Sequence, residues 1–212
     1  MKKVYIFDFD GTLVDSMPFW AEKMLNILKS ANVSYPDDII ATIATMGDAG
    51  SAKYFREVLG VKYTEKEMFD MMDKYGIPKY RDEIILKDGV KEALNALKGA
   101  GHSLNVLTAS PHKMLDPCLK RNGIYHLFDN VWSTDDFGLT KTNTEIYRLS
   151  VEKAGGDISN ALFFDDNLGA LKTAKQAGLY TVGVFDETGK PFTDNIIKTA
   201  DRFIYSFREL LV

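Results

Sequence analysis

A single cysteine, Cys118, in a chain of 212 residues excludes an internal disulfide and fits a reducing compartment. Its surroundings, Met114-Leu115-Asp116-Pro117-Cys118-Leu119, read as helix, so the thiol is expected to pack rather than react. No apolar run reaches the length of a membrane span. Between Met1-Lys2-Lys3 and Asp8 there are too few apolar residues for a secretory leader, and a cytoplasmic location is expected. No Lys/Arg cluster forms a basic stripe and the net charge is −4, which argues against a nucleic-acid partner. His102, His112 and His126 lack metal-ligand spacing, and neither an internal repeat nor a low-complexity segment occurs. What is present is an ordinary globular composition, 45% hydrophobic and 26% charged. The length suits one sizeable domain, or one domain with an insert.

The stretch around which the rest is organised is Val4-Tyr5-Ile6-Phe7-Asp8-Phe9-Asp10-Gly11-Thr12-Leu13. It begins as an apolar run without polar alternation, as in a strand covered on both faces of a parallel sheet. Strand geometry puts positions i and i+2 on one face, so Asp8 and Asp10 can meet at the carboxyl end. Gly11 allows the backbone a sharp exit. Two adjacent carboxylates repel, and a shared proton or a hard divalent cation relieves the repulsion.

Beyond Leu13 the texture is helical as far as about residue 84. Ser16 is the expected N-cap of a helix from Phe19 to about Ala31, with Pro18 in its first turn. Further helices are expected over Ile39–Thr45, Ala52–Leu59 and Glu65–Tyr75, the last continuing to about Ile84. Two glycines, Gly47 and Gly50, interrupt them. From Asp88 helices and strands alternate. Helices are expected over Gly89–Lys98, Pro111–Asn122, Thr144–Ala154, Leu168–Ala177 and Ser206–Leu211. Strands are expected over Ser103–Thr108, Asn130–Ser133, Ala161–Asp165 and Tyr180–Phe185. This pattern predicts an α/β fold: a Rossmann-like parallel sheet core, residues 1–14 and 87–212, interrupted by an all-helical cap, residues 15–86. An insert just after the first strand is well placed to cover a site at its end.

The notable polar residues fall at the carboxyl ends of the predicted strands: Asp8 and Asp10, Thr108-Ala109-Ser110, Lys141 in the loop after the third strand, and Asp165-Asp166-Asn167. In a parallel sheet these ends share one edge, where ligands bind. Carboxylates, a hydroxyl and a loop-borne amine together suit a divalent metal and a phosphoryl group.

In these motifs the chain resembles the haloacid dehalogenase superfamily of hydrolases, in the group of phosphoglycolate phosphatases and beta-phosphoglucomutases. Asp8-Phe9-Asp10-Gly11-Thr12, Leu107-Thr108-Ala109-Ser110, Lys141 and Phe164-Asp165-Asp166-Asn167 occur in the family's order, and the helical insert resembles a C1-type cap. The resemblance implies a Mg²⁺-dependent phosphatase for a small phosphorylated metabolite. Asp8 would be the nucleophile, Asp10 the general acid and base, and Thr108, the Ala109 amide and Lys141 the phosphate ligands. Mg²⁺ would lie between Asp8, the Asp10 carbonyl and a carboxylate of the fourth motif. Counting back from Gly178 favours Asp166 as that carboxylate, while the spacing to Gly169 favours Asp165, so both stand. The family commonly has proline after the lysine, where this chain has Thr142. The segment Met46–Lys53 resembles a substrate-specificity loop, and Ser51, Lys53 and Trp20 are candidate substrate contacts. A monomer is expected.

The alternatives within this resemblance are a sugar-phosphate mutase and a non-catalytic binding protein. Mutases of this kind tend to carry a cap histidine where Trp20 stands, which favours hydrolysis. Asp10 argues against both phosphonate hydrolysis and dehalogenation.

Overall fold

The computed structural model describes residues 2–43 and 46–211. Six strands form one sheet: β1 (Val4–Phe7), β2 (Ser103–Thr108), β3 (Asn130–Ser133), β4 (Ala161–Asp165), β5 (Tyr180–Val184) and β6 (Arg202–Ile204). Their order is β3-β2-β1-β4-β5-β6, and every neighbouring pair is parallel. β1 is therefore central, paired with β2 on one side and β4 on the other. Its side chains divide by parity, as a strand's must. Tyr5 and Phe7 enter the core on one face, while Val4 and Ile6 enter the core on the other. Both faces being covered is the physical reason for the unbroken apolar run. Ile6 and Phe7 are fully buried, each stabilising the sheet by about 2 kcal/mol.

Between β1 and β2 lie α1 (Met17–Ser30), α2 (Ile39–Ile43), α3 (Gly47–Glu57), α4 (Glu65–Asp82) and α5 (Val90–Gly99). The Thr64/Glu67 capping box starts α4. Met24, Ile27, Leu28, Phe55, Met68 and Met72 build a separate apolar core among α1–α4. α4 spans both environments: Met68 and Met72 face the helical core, whereas Tyr80 packs with Phe9 and Phe7 in the core under the sheet.

The chain leaves β1 and returns to α5 along paired linkers. Asp15 N–H donates to the Ile85 carbonyl at 3.0 Å, and Lys87 N–H to the Leu13 carbonyl at 3.0 Å. The Lys87 ammonium reinforces the junction, donating to the carbonyls of Gly11 (2.6 Å) and Phe185 (2.5 Å) and to Asp186 Oδ2 (3.1 Å).

α6 (His112–Arg121), α7 (Thr144–Lys153), α8 (Leu168–Ala177) and α9 (Thr193–Thr199) complete the described helices. No described helix is long and apolar enough to cross a membrane.

The fold class agrees with expectation, and several details do not. The helix expected from Ala52 begins at Gly47, so both interrupting glycines lie inside α3. The expected end of the preceding helix, Thr45, falls outside the described residues. α9 and β6 were not foreseen, and the closing helix is a 3-10 turn, Phe207–Leu210. β6 has only three residues and pairs on one side, too short for periodicity to register.

Candidate active site

The carboxyl edge of the sheet gathers the polar ends. The pairing of β1 continues past its last residue, since Asp8 N–H donates to the Phe164 carbonyl at 2.8 Å and brings Asp8 level with Asp165. Asp8, Asp165 and Asp166 each offer a carboxylate oxygen, and these oxygens lie within 4.8 Å of one another. Lys141, in the loop before α7, donates to Asp8 Oδ1 and, at 2.9 Å, to Asp165 Oδ2. Tyr147 on α7 fixes the base of that loop, its hydroxyl donating to the Lys141 carbonyl at 2.9 Å. Lys141 also stands 5.5 Å from the centre of the Phe163 ring.

Electrostatics follow from burial and crowding. Burial pushes the Asp8 carboxyl up to about 7; Lys141 opposes the rise, and Asp165 and Asp10 add to it. Burial likewise raises Asp166 well above the usual carboxylate range, with Asp165, Asp8 and Asp186 contributing and Lys87 opposing. For Lys141 burial works against the charge, but Asp165 and Asp8 outweigh it and its pKa stands above the ordinary lysine value. Three crowded carboxylates and one ammonium form a negative pocket of oxygen donors. A hard divalent cation suits that donor set.

Gly11 makes this crowding possible. Its φ is +72°, and a Cβ there would stand 2.6 Å from Asp166 Oδ2. Thr12, directly after it, donates its hydroxyl to Asp166 Oδ1 at 3.1 Å. The two acidic neighbours thus differ. Asp165 is fully buried, one oxygen on Lys141 and the other accepting from the Asn167 N–H at 2.7 Å. Asp166 is partly exposed and lines a cavity of about 30 Å³ with Met17, Asn167 and Phe192, space for a water molecule. A larger cavity, about 340 Å³, lies at the opposite edge among Lys3, Tyr5, Tyr180 and Arg202, remote from this chemistry.

Asp10 sits apart from the acidic trio and is held by hydroxyls. Ser16 donates to Oδ1 at 2.7 Å, Tyr80 donates to the same oxygen, and Ser110 donates to Oδ2 at 2.5 Å. Ser16 stands at the N-cap position but does not cap. Its helical φ/ψ of −99°/−16° is not the extended geometry that aims a hydroxyl at the first amides, and the carboxylate takes the bond instead. Thr108 is buried at the end of β2 and accepts from the Ser110 N–H at 3.1 Å, with the exposed Ala109 between them.

Ser51 requires correction as a substrate contact. It is fully buried on α3 and donates to the Gly47 carbonyl at 2.7 Å, because the glycines continue the helix and turn it inward. Lys53 is exposed on α3 and makes no contact with the acidic trio among the described residues. Trp20 is committed to Asp48, to which its indole N–H donates at 2.8 Å; Lys23, one turn on, holds the other Asp48 oxygen at 2.7 Å. Tyr80, Lys87 and the Lys23–Asp48 pair were not foreseen. Nothing local to their sequence distinguishes them from packing or surface residues.

Fold and site together define an α/β protein whose convergent polar side chains lie at the carboxyl edge of a parallel sheet, where such folds bind ligands. The chain belongs to the haloacid dehalogenase-like hydrolase family, whose model matches residues 2–178. It is 30% identical over 183 residues to pyrophosphatase PpaX of Bacillus velezensis, covering 84% of this chain and 81% of the relative. It is 27% identical over 199 residues to a phosphoglycolate phosphatase of Agrobacterium fabrum, covering 89% and 83%. Among solved structures, beta-phosphoglucomutase from Clostridium difficile shares the fold with a TM-score of 0.81 at 17% identity, over 99% of this chain and 93% of that one.

Proposed function

We propose that the chain is a Mg²⁺-dependent phosphatase that hydrolyses a small phosphorylated metabolite through an aspartyl-phosphate on Asp8. The observation that carries this reading is the convergence of Asp8, Lys141, Asp165 and Asp166 at one sheet edge, with Asp10 two residues beyond Asp8. Relatives named phosphoglycolate phosphatase and pyrophosphatase support the substrate class.

In the first step an Asp8 oxygen attacks phosphorus, the bond to the leaving oxygen breaks, and Asp10 gives that oxygen its proton. In the second, Asp10 takes a proton from water as the water oxygen attacks phosphorus. The acyl-phosphate bond breaks, releasing orthophosphate and restoring Asp8. Lys141, the Thr108 hydroxyl and the Ala109 amide hold phosphate oxygens. Asp8, Asp166 and the Asp10 carbonyl would hold Mg²⁺, which supplies positive charge between the anionic nucleophile and its anionic target. Asp166 is preferred to Asp165 as direct ligand because both Asp165 oxygens already accept hydrogen bonds.

The same reading makes residues 15–86 a cap over a core of residues 1–14 and 87–212, in a cytoplasmic monomer. The test is release of orthophosphate from an aryl phosphate, with and without Mg²⁺, before and after Asp8→Asn. Activity without Mg²⁺, or surviving the substitution, would sink the mechanism. An isomerised sugar phosphate without free phosphate would establish a mutase instead. A panel of glycolate, sugar and nucleotide monophosphates would identify the substrate.

A further inference from the structure

Three hydroxyls from distant parts of the chain converge on the Asp10 carboxyl. Ser16 comes from the linker before α1, Ser110 from the loop after β2, and Tyr80 from the last turn of α4. Tyr80 is 70 positions from Asp10 and only 5% exposed. Its ring is seated in the core against Phe9, with centroids 5.8 Å apart, so packing alone explains the aromatic ring. It does not explain the hydroxyl. A buried phenol needs an acceptor, and Tyr80 finds it in the side chain assigned to proton transfer.

The distribution of donors over the two oxygens is unequal. Oδ1 receives Ser16 and Tyr80, filling its two lone-pair directions, whereas among the described residues Oδ2 receives only Ser110. Oδ1 is the anchored oxygen, and Oδ2 keeps the capacity to meet a leaving group or a water. Ser16 and Ser110 stand on segments adjoining the sheet. Tyr80 stands on the helix whose other end belongs to the helical core.

We propose that Tyr80 is a positioning residue for proton transfer: its hydroxyl anchors Asp10 Oδ1, aims Oδ2 at the leaving oxygen, and makes that aim depend on the placement of α4. This rests on the reading of Asp10 as general acid and base. Misplacing a catalytic group by an ångström costs up to about a hundredfold in rate, so the effect is measurable.

Tyr80→Phe keeps the ring and deletes only the hydroxyl. With Mg²⁺ present, kcat/KM, which reports only the steps up to departure of the leaving group, should be compared for an alkyl phosphate, whose alkoxide must be protonated, and for p-nitrophenyl phosphate, whose phenolate leaves without a proton. The expected result is a loss of roughly ten- to hundredfold in kcat/KM for the alkyl ester. The aryl ester should lose less than about threefold in kcat/KM. Asp10→Asn should show the same selectivity more strongly, and adding Tyr80→Phe to it should cost nothing further. Equal losses on both esters, no loss on either, or additive losses in the double variant would overturn the proposal while leaving Asp10 in its role. If Asp10→Asn itself fails to discriminate between the esters, the assignment of Asp10 falls and the proposal falls with it.

Discussion

Lys141 Nζ lies 2.9 Å from Asp165 Oδ2, and the same ammonium bonds Asp8. One cation thus spans the ends of β1 and β4 and offsets part of the repulsion among the three carboxylates. Asp165 is fully buried, so losing that partner would leave one of its oxygens short of a hydrogen bond.

Lys141→Met is expected to lower kcat/KM for an aryl phosphate by roughly a hundred- to a thousandfold, as when one electrostatic stabiliser of the reacting group is removed. It also leaves the acidic cluster without its ammonium. In the presence of a chelator the variant should lose about 3 kcal/mol of stability in urea titration, and Mg²⁺ should restore part of it. A variant as stable as the parent in chelator would show that the cluster does not depend on Lys141.

Gly11→Ala meets two obstacles at once: a φ of +72°, and Asp166 Oδ2 standing 2.6 Å from the new Cβ. The backbone term costs about 1–2 kcal/mol, read by chemical denaturation. The displaced Asp166 should weaken Mg²⁺ binding, read by calorimetric titration. Unchanged Mg²⁺ affinity would remove Asp166 from the metal site.

His112 joins the start of α6 to Asp116 at 2.9 Å and, across to the 3-10 turn after β3, to Asp136 at 2.9 Å. The Asp116 bond first, and then the Asp136 bond, raise its pKa above the usual histidine value. With the folded pKa above the unfolded one, the stabilising contribution is fully present below about pH 6.5 and is lost as pH rises through the raised value. The melting temperature should therefore decline from pH 6 to pH 8 more steeply in the parent than in His112→Gln. Identical slopes would show that the bridge is too well solvated to matter.

Much of the architecture was legible because it is written in local pattern. β1 is legible as an unbroken apolar run, which puts Asp8 at its carboxyl end. β2, β3 and β4 begin and end at the expected residues, since glycines and helix caps punctuate the chain beside them. The acidic edge follows from strand direction alone: if the strands are parallel, their carboxyl ends must meet.

What local pattern does not encode is which of several equivalent polar groups a side chain will choose. Ser16 has the sequence context of an N-cap, yet its hydroxyl goes to Asp10, because the backbone dihedrals turn it there. Ser51 sits among glycines like a loop residue, yet α3 runs through them and buries it. Asp165 and Asp166 are neighbours of one residue type. Their separation into a buried partner of Lys141 and a partly exposed carboxylate beside Gly11 depends on strands distant in sequence. The sequence by itself therefore determined five of the six strands, the order of their polar ends and the identity of the acidic residues. Only the tertiary structure, by packing α4 against Phe9, decided that Tyr80 would anchor Asp10, because a contact across 70 positions leaves no periodicity to read.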